Sequence, residues 1–230
     1  MVRLLLLILF VAVAFAETGF PQAKNGVVLL THENSPYVLR ENFALASSDT
    51  LRVEPGVSIL MGPYAKLLLS GAVEILGTEK QPVTMQAMDS LESWNGVHFI
   101  SSGSPFLVKH LIVENAFRNS VSQTSGIFEN SEFIDNYYGL WLYSSQLVVL
   151  KNCKFTRNRF ALSVASSTVN AENVLATKNV FGLYLEGNSK FNGSKAGFKE
   201  NMEADVREGS VASGKDKVPL SVWQRVEASF

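Results

Sequence analysis

Residues 130–164 read NSEFIDNYYGLWLYSSQLVVLKNCKFTRNRFALSV, and the thirteen residues that open the stretch return near its end as NCKFTRNRFALSV. Outward from this pair, LIVEN, LATKN and GFKEN end on an asparagine just as EFIDN and KFTRN do. The five asparagines are Asn115, Asn136, Asn158, Asn179 and Asn201, spaced 21, 22, 21 and 22 residues apart. After three of them the chain continues alike, as YYGLWL from Tyr137, RFALSV from Arg159 and VFGLYL from Val180.

Each column of the alignment has a physical reading. Ile112, Phe133, Phe155, Ala176 and Phe198, three residues before each asparagine, form an inward stack. Phe117, Tyr138, Phe160 and Phe181, two after it, form an aromatic stack, and Gly139, Ala161, Gly182 and Ala204 are small residues at a tight turn. Leu140, Leu142, Leu162, Val164, Leu183 and Leu185 then alternate with Trp141, Ser163 and Tyr184, the period of two that belongs to a strand.

A period of 21 to 22 is too short for helical-pair repeats and lacks the leucine-rich consensus. The sequence therefore predicts an all-β fold, a right-handed parallel β-helix of about eight coils. Equivalent residues of successive coils lie roughly 4.8 Å apart, so Asn115, Asn136, Asn158, Asn179 and Asn201 are expected to form a side-chain amide ladder. The expected organisation is a signal peptide at 1–16, an N-terminal cap at 17–35, the β-helix at 36–210, and a linker with a short amphipathic C-terminal helix at 211–230. In that last segment Ser221 can cap a helix whose Trp223, Val226 and Phe230 share one face.

The form N-x-x-F-x-x-N-x-x-G-L-x-L, at Asn130 to Leu142 and at Asn152 to Val164 with Ala161 for glycine, resembles the right-handed parallel β-helix repeat of the pectate-lyase-like superfamily. TLRVEPGVSILMGPYAKLLLSGAVEILGTEKQPVTMQA followed by WNGVHF is similar to the opening coils of bacterial envelope β-helix proteins. The resemblance implies a fold and leaves activity open, because the superfamily includes lyases, hydrolases, adhesins and periplasmic accessory proteins. Two coils depart from it: Arg118-Asn119 replaces the Gly-Leu pair, which implies a bulge, and Asp205 replaces a leucine.

The apolar run from Leu4 to Phe15, with small residues at Ala14 and Ala16, reads as a signal peptide too short to span a bilayer. The expectation is an exported protein, periplasmic, extracellular or at the cell surface, with no transmembrane anchor after cleavage. The whole chain has a formal charge of −1, and about −2 without Arg3, which gives no electrostatic case for nucleic acid. A single cysteine, Cys153, forms no intramolecular disulfide and reads as a small buried filler.

No catalytic constellation emerges. The five aspartates are scattered, and His32, His98 and His110 occupy unrelated positions, so no catalytic residue, metal site or cofactor is expected. Glu114 and Asp135 each precede a ladder asparagine in a column continuing through Arg157, Lys178 and Glu200; ion pairs of Asp135 with Arg157 and Lys178 with Glu200 account for it. The ligand-binding candidates are Trp141, Tyr143 and Tyr184, aromatic groups on one sheet face with Ser163 between Trp141 and Tyr184, suited to a polysaccharide or to another envelope protein. The sequence leans towards a non-catalytic structural or recognition module. A polysaccharide lyase or glycoside hydrolase is the runner-up, and an accessory protein of a periplasmic transport or maturation complex the third reading.

Overall fold

The structure, a computed structural model, describes residues 17–89, 92–101 and 103–209. The expected signal peptide at 1–16 and the expected C-terminal helix within 211–230 lie outside them. Among the described residues, 24 strands form three sheets of eight strands each, and every strand pairs in parallel with its equivalent one coil away. One coil serves as the pattern: Tyr138–Tyr143 in a front sheet, Val148–Lys151 in a back sheet and Lys154–Thr156 in a ladder sheet, before Phe160–Ala165 rejoins the front sheet. This is a parallel β-helix.

The core is the interior of the spiral. In the ladder sheet one inward column runs Tyr37, Ile59, Met85, Val113, Phe133, Phe155, Ala176 and Phe198, all buried. Phe133 and Phe155 stack at 5.0 Å between ring centroids, and Ala176 makes room above them. The stretch at 17–35, expected as a cap, contains Thr18–Gly19 and Val27–Leu30, the first strands of the ladder and back sheets.

From Ser101 to Gly187 three turns per coil join the sheets, each built on one residue in the left-handed region. Front-to-back turns use Ser101, Gln123, Ser144, Ser166 and Gly187; back-to-ladder turns use His110, Asn130, Asn152 and Asn173. Ladder-to-front turns use Asn115, Asp135, Arg157, Lys178 and Glu200, with φ from 54° to 60°. Asparagine and glycine tolerate this conformation readily; the other side chains hold it at about 1–2 kcal/mol each, so the stack must impose it.

That last column corrects the ladder by one residue at its lower end. Val113 pairs with Phe133, and the Ala116 N–H, not Asn115, donates to Asn136 Oδ1 at 2.9 Å. Asn115 stands instead at the left-handed turn position below Asp135, with φ 59°. The step from Ala116 to Asn136 is 20 residues, so aligning on the asparagine letter placed the first coil one residue out of register; Ile112 accordingly faces Glu132, and Val113 takes the inward place.

The small residues after the ladder also have a different cause from the one expected. The φ of Gly139 is not left-handed; a Cβ there would meet Ala161 O at 2.6 Å and Asn158 Cγ at 3.2 Å. The close approach at Gly139 is to the carbonyl of the next coil first and to the ladder amide second, while Ala161, in the equivalent place one coil up, carries a single Cβ.

Candidate functional site

The ladder itself is the best-defined polar array. Asn136, Asn158 and Asn179 each pass their backbone N–H and side-chain Nδ2 to the Oδ1 of the next asparagine up, at 2.8–3.0 Å. Each Nδ2 also donates to a carbonyl of the coil below: Val113, Phe133 and Phe155 respectively. Every side-chain nitrogen and oxygen of these three buried amides is thereby used, as burial requires.

Both ends of the ladder are closed by residues that the repeat did not mark. At the top, Asp205 Oδ1 accepts from Asn201 N and Nδ2, both at 2.9 Å, standing where the next amide oxygen would be. At the bottom, fully buried Trp94 lies under Ala116 and donates its indole N–H to Glu114 O at 2.9 Å. The signal for Asp205 was present as an acceptor four residues past the last asparagine; Trp94 offered none, since its coil lacks the motif.

The front sheet carries the aromatic candidates on its outer face. One outward column runs Leu68, His98, Ser120, Trp141, Ser163, Tyr184 and Arg207, so Ser163 does stand between Trp141 and Tyr184. Next to it Tyr138, Phe160 and Phe181 stack at 4.9 and 5.0 Å; Phe117 joins edge-on to Tyr138 at 6.4 Å. The register breaks between Arg118 and Ser120, the bulge implied where Arg118-Asn119 replaces Gly-Leu, and Asn119 Nδ2 donates to the carbonyls of Tyr138 and Gly139 there.

The structure divides the three ligand candidates. Trp141 and Tyr143 lie with rings 5.4 Å apart and 30° between planes, and Tyr143 is 44% exposed. Tyr184 is 2% exposed, edge-on to Phe160 and Phe181 at 5.8 and 6.1 Å, so it presents no ring face to a ligand. The Arg118 guanidinium lies 5.0 Å from the Trp141 ring centre, and burial pulls its pKa below the ordinary arginine range.

Below Trp141, His98 and Ser120 share a 2.7 Å hydrogen bond between Nδ1 and Oγ, and both are buried. Burial, with Arg118 and Lys66 nearby, pushes the His98 imidazole down to about pKa 3. A base so weak holds little of a serine proton at neutral pH, and no carboxylate among the described residues orients its ring, so the pair lacks what an activated nucleophile needs. His98 Nε2 has no hydrogen-bond partner among the described residues.

The carboxylate candidates are structural. Arg157 grips Asp135 with two bonds of 2.8 and 2.7 Å, as the column predicts. Glu114, however, pairs with Ile134 and not with Asp135, and its pKa is raised by burial and then by the Asp135 charge. Lys178 meets Glu200 through the backbone, N–H to carbonyl at 3.2 Å. Cys153 is fully buried, and its thiol, pushed up to about pKa 12 by burial, points at the Phe128 and Lys151 carbonyls. Among the described residues no three His, Cys, Asp or Glu side chains gather within reach of a metal ion.

Against known families, the model described as a right-handed β-helix region matches residues 75–213, more than half of the chain. The chain belongs to the right-handed β-helix family. Comparisons with curated proteins and with solved structures find no match.

Other β-helix features escaped the sequence reading. Asn152 donates to Asn130 Oδ1 at 3.0 Å and Asn173 to Asn152 Oδ1 at 3.1 Å, a second amide ladder on an exposed corner. At the front-to-back corner the Ser145 N–H donates to Ser167 Oγ at 2.9 Å, while Ser167 and Ser189 donate to Ala165 O and Val164 O at 2.8 Å. The spacing of 22 from Ser145 to Ser167 to Ser189 was there to be read, but serines are too common for a period to stand out.

Proposed function

We propose that this β-helix is an exported, non-catalytic recognition scaffold that holds a polysaccharide against Trp141 and Tyr143. The observation that supports the reading is the adjacent ring pair on an outward sheet face, with Tyr143 exposed and Arg118 beside Trp141. Sugar rings pack their C–H faces on flat aromatic surface, and a neighbouring guanidinium offers donors to hydroxyl or carboxylate oxygens. Small neighbours help: Ser120 and Ser122 lie below the two rings, and Ser163 and Ala165 above them. Export rests on the apolar Leu4 to Phe15 run.

Retention of Trp141→Ala and Tyr143→Ala on a panel of immobilised polysaccharides tests the reading. At least a tenfold loss of affinity with an unchanged melting profile is expected for one panel member. Retention equal to the parent chain on every polysaccharide discards the site.

A further inference from the structure

We propose that the outer face of the back sheet is an interaction surface for a second copy of this chain, packed face to face about a two-fold axis that runs along the strands. The inference goes beyond the saccharide reading, which concerns the front sheet. It begins with two neighbouring outward columns. In one, Lys109, Glu129, Lys151 and Glu172 follow one another on successive coils and alternate in sign. In the other, two residues earlier on each strand, stand Leu107, Ile127 and Val149, all aliphatic and only partly buried. Lateral ion pairs within one chain account for the alternation, since Lys109 Nζ lies 3.2 Å from Glu129 Oε2. They do not account for three aliphatic side chains in a row on a face that water would otherwise cover.

The sign pattern is self-complementary. A two-fold axis along the strands, placed between the Glu129 and Lys151 coils, reverses the order of the coils and sets each column against itself. Lys109 then meets Glu172 of the second copy and Glu129 meets its Lys151, so all four contacts join opposite charges. In the aliphatic column Ile127 meets Val149 at the centre, Leu107 comes over Asn170, and Glu74 at the rim comes over Asn192. No like charges face each other in either column. A two-fold along the solenoid axis would instead set the charged column against the aliphatic one.

The corner beside this face carries a second mark. Between the paired positions Tyr143 and Val148 the chain has four residues, whereas Ser122 to Gly126 below and Ala165 to Val169 above have three. The longer corner lifts Leu147 to the rim of the face, 67% exposed and with a left-handed φ of 60°. A leucine there is unfavourable twice, as strained backbone and as wetted apolar surface, and a docked copy offsets the second. The same two-fold brings Leu147 over Ser125 of the second copy, a small residue on a shorter corner, so a projection meets a recess.

Six coils overlap in this arrangement, from the Ala72–Leu76 strand to the Lys190–Asn192 strand. At roughly 4.8 Å per coil and 3.3 Å per residue the contact covers about 500 Å² on each copy, at the low end for a specific interface, so the dimer is a weak one of micromolar order.

The test is sedimentation equilibrium of the full chain. At about 100 µM it should give twice the mass of one chain, falling towards one on dilution or in strong salt. Lys109→Glu with Lys151→Glu makes the column wholly acidic, and Glu129→Lys with Glu172→Lys makes it wholly basic. Each doubly substituted chain should sediment singly with an unchanged circular dichroism spectrum, and an equimolar mixture of the two should return to the double mass. Leu147→Gly should weaken association by about tenfold while the monomer melts no earlier than the parent, because glycine accepts left-handed backbone. A parent chain that sediments singly overturns the proposal. So does a dimer that either charge set leaves intact, which would lie on another surface, a mixture that stays monomeric, or a Leu147→Gly chain that associates as the parent does.

Discussion

Two asparagine ladders climb this β-helix side by side, and their contrast separates what an amide does from where it stands. The Asn136, Asn158 and Asn179 ladder lies inside the ladder-to-front corner, at most 1% exposed, with each amide bonded both to its neighbour and to backbone. The Asn130, Asn152 and Asn173 ladder runs along the back-to-ladder corner in exposed geometry, with side-chain bonds of nearly the same length. Distance does not distinguish them. Burial does, because an amide lost from the first leaves partners that water cannot reach, whereas water replaces any amide lost from the second.

The largest expected effect is therefore Asn158→Ala. It strips acceptors from Asn136 N and Nδ2 and donors from Phe133 O and Asn179 Oδ1 in one step. With each orphaned buried group costing about 1–3 kcal/mol, partly relieved by relaxation, a loss of about 3 kcal/mol in urea unfolding is expected. Cys153 reports the same opening locally. Its buried thiol, at a pKa of about 12, should resist alkylation in the parent chain and react measurably faster in the variant. A loss under about 1 kcal/mol would mean that the ladder decorates a fold held by its apolar columns alone.

The sequence made the buried ladder legible because burial fixes the letter: the short asparagine amide carries donor and acceptor at the reach that column uses, so Asn136, Asn158, Asn179 and Asn201 recur with the repeat. It misled at the lower end, where Ala116 holds the column and Asn115 merely satisfies a left-handed φ. A letter kept for one reason stood beside a column that needed it for another. The exposed ladder was hidden by the same ambiguity, since asparagine at 130, 152 and 173 is explained by backbone conformation before any side-chain bond is considered. Tyr184 illustrates a different limit. Alternation placed it outward, correctly, but outward and solvent-facing are not the same, and only three-dimensional neighbours distinguish them.

His98 carries the comparison to a group that titrates. Its folded pKa of about 3 lies below the ordinary value of 6.5, so between these limits the unfolded chain binds more protons and stability falls as pH drops. The slope approaches at most about 1.4 kcal/mol per pH unit, and roughly 2 kcal/mol should be lost between pH 6.5 and 4.5 from this residue. Glu114 and Glu186 work the other way, because their raised pKa values favour the protonated folded form as pH falls through them. The difference between the parent chain and His98→Gln isolates the imidazole. Parallel stability curves for the two across that range would show that His98 is solvated.

The smallest effect sharpens the contrast most. Asn152 combines two properties, a left-handed φ of 52° and a place in the exposed ladder, and two substitutions pull them apart. Asn152→Ala removes the amide and strains the backbone, for about 1–2 kcal/mol in all. Asn152→Gly removes the same amide without strain, though the freer unfolded chain takes back about half a kcal/mol. If conformation is what the exposed column needs, glycine should be clearly the milder change in urea unfolding. Equal losses of about 2 kcal/mol from both would put the amide bonds in charge and erase the distinction between the two ladders.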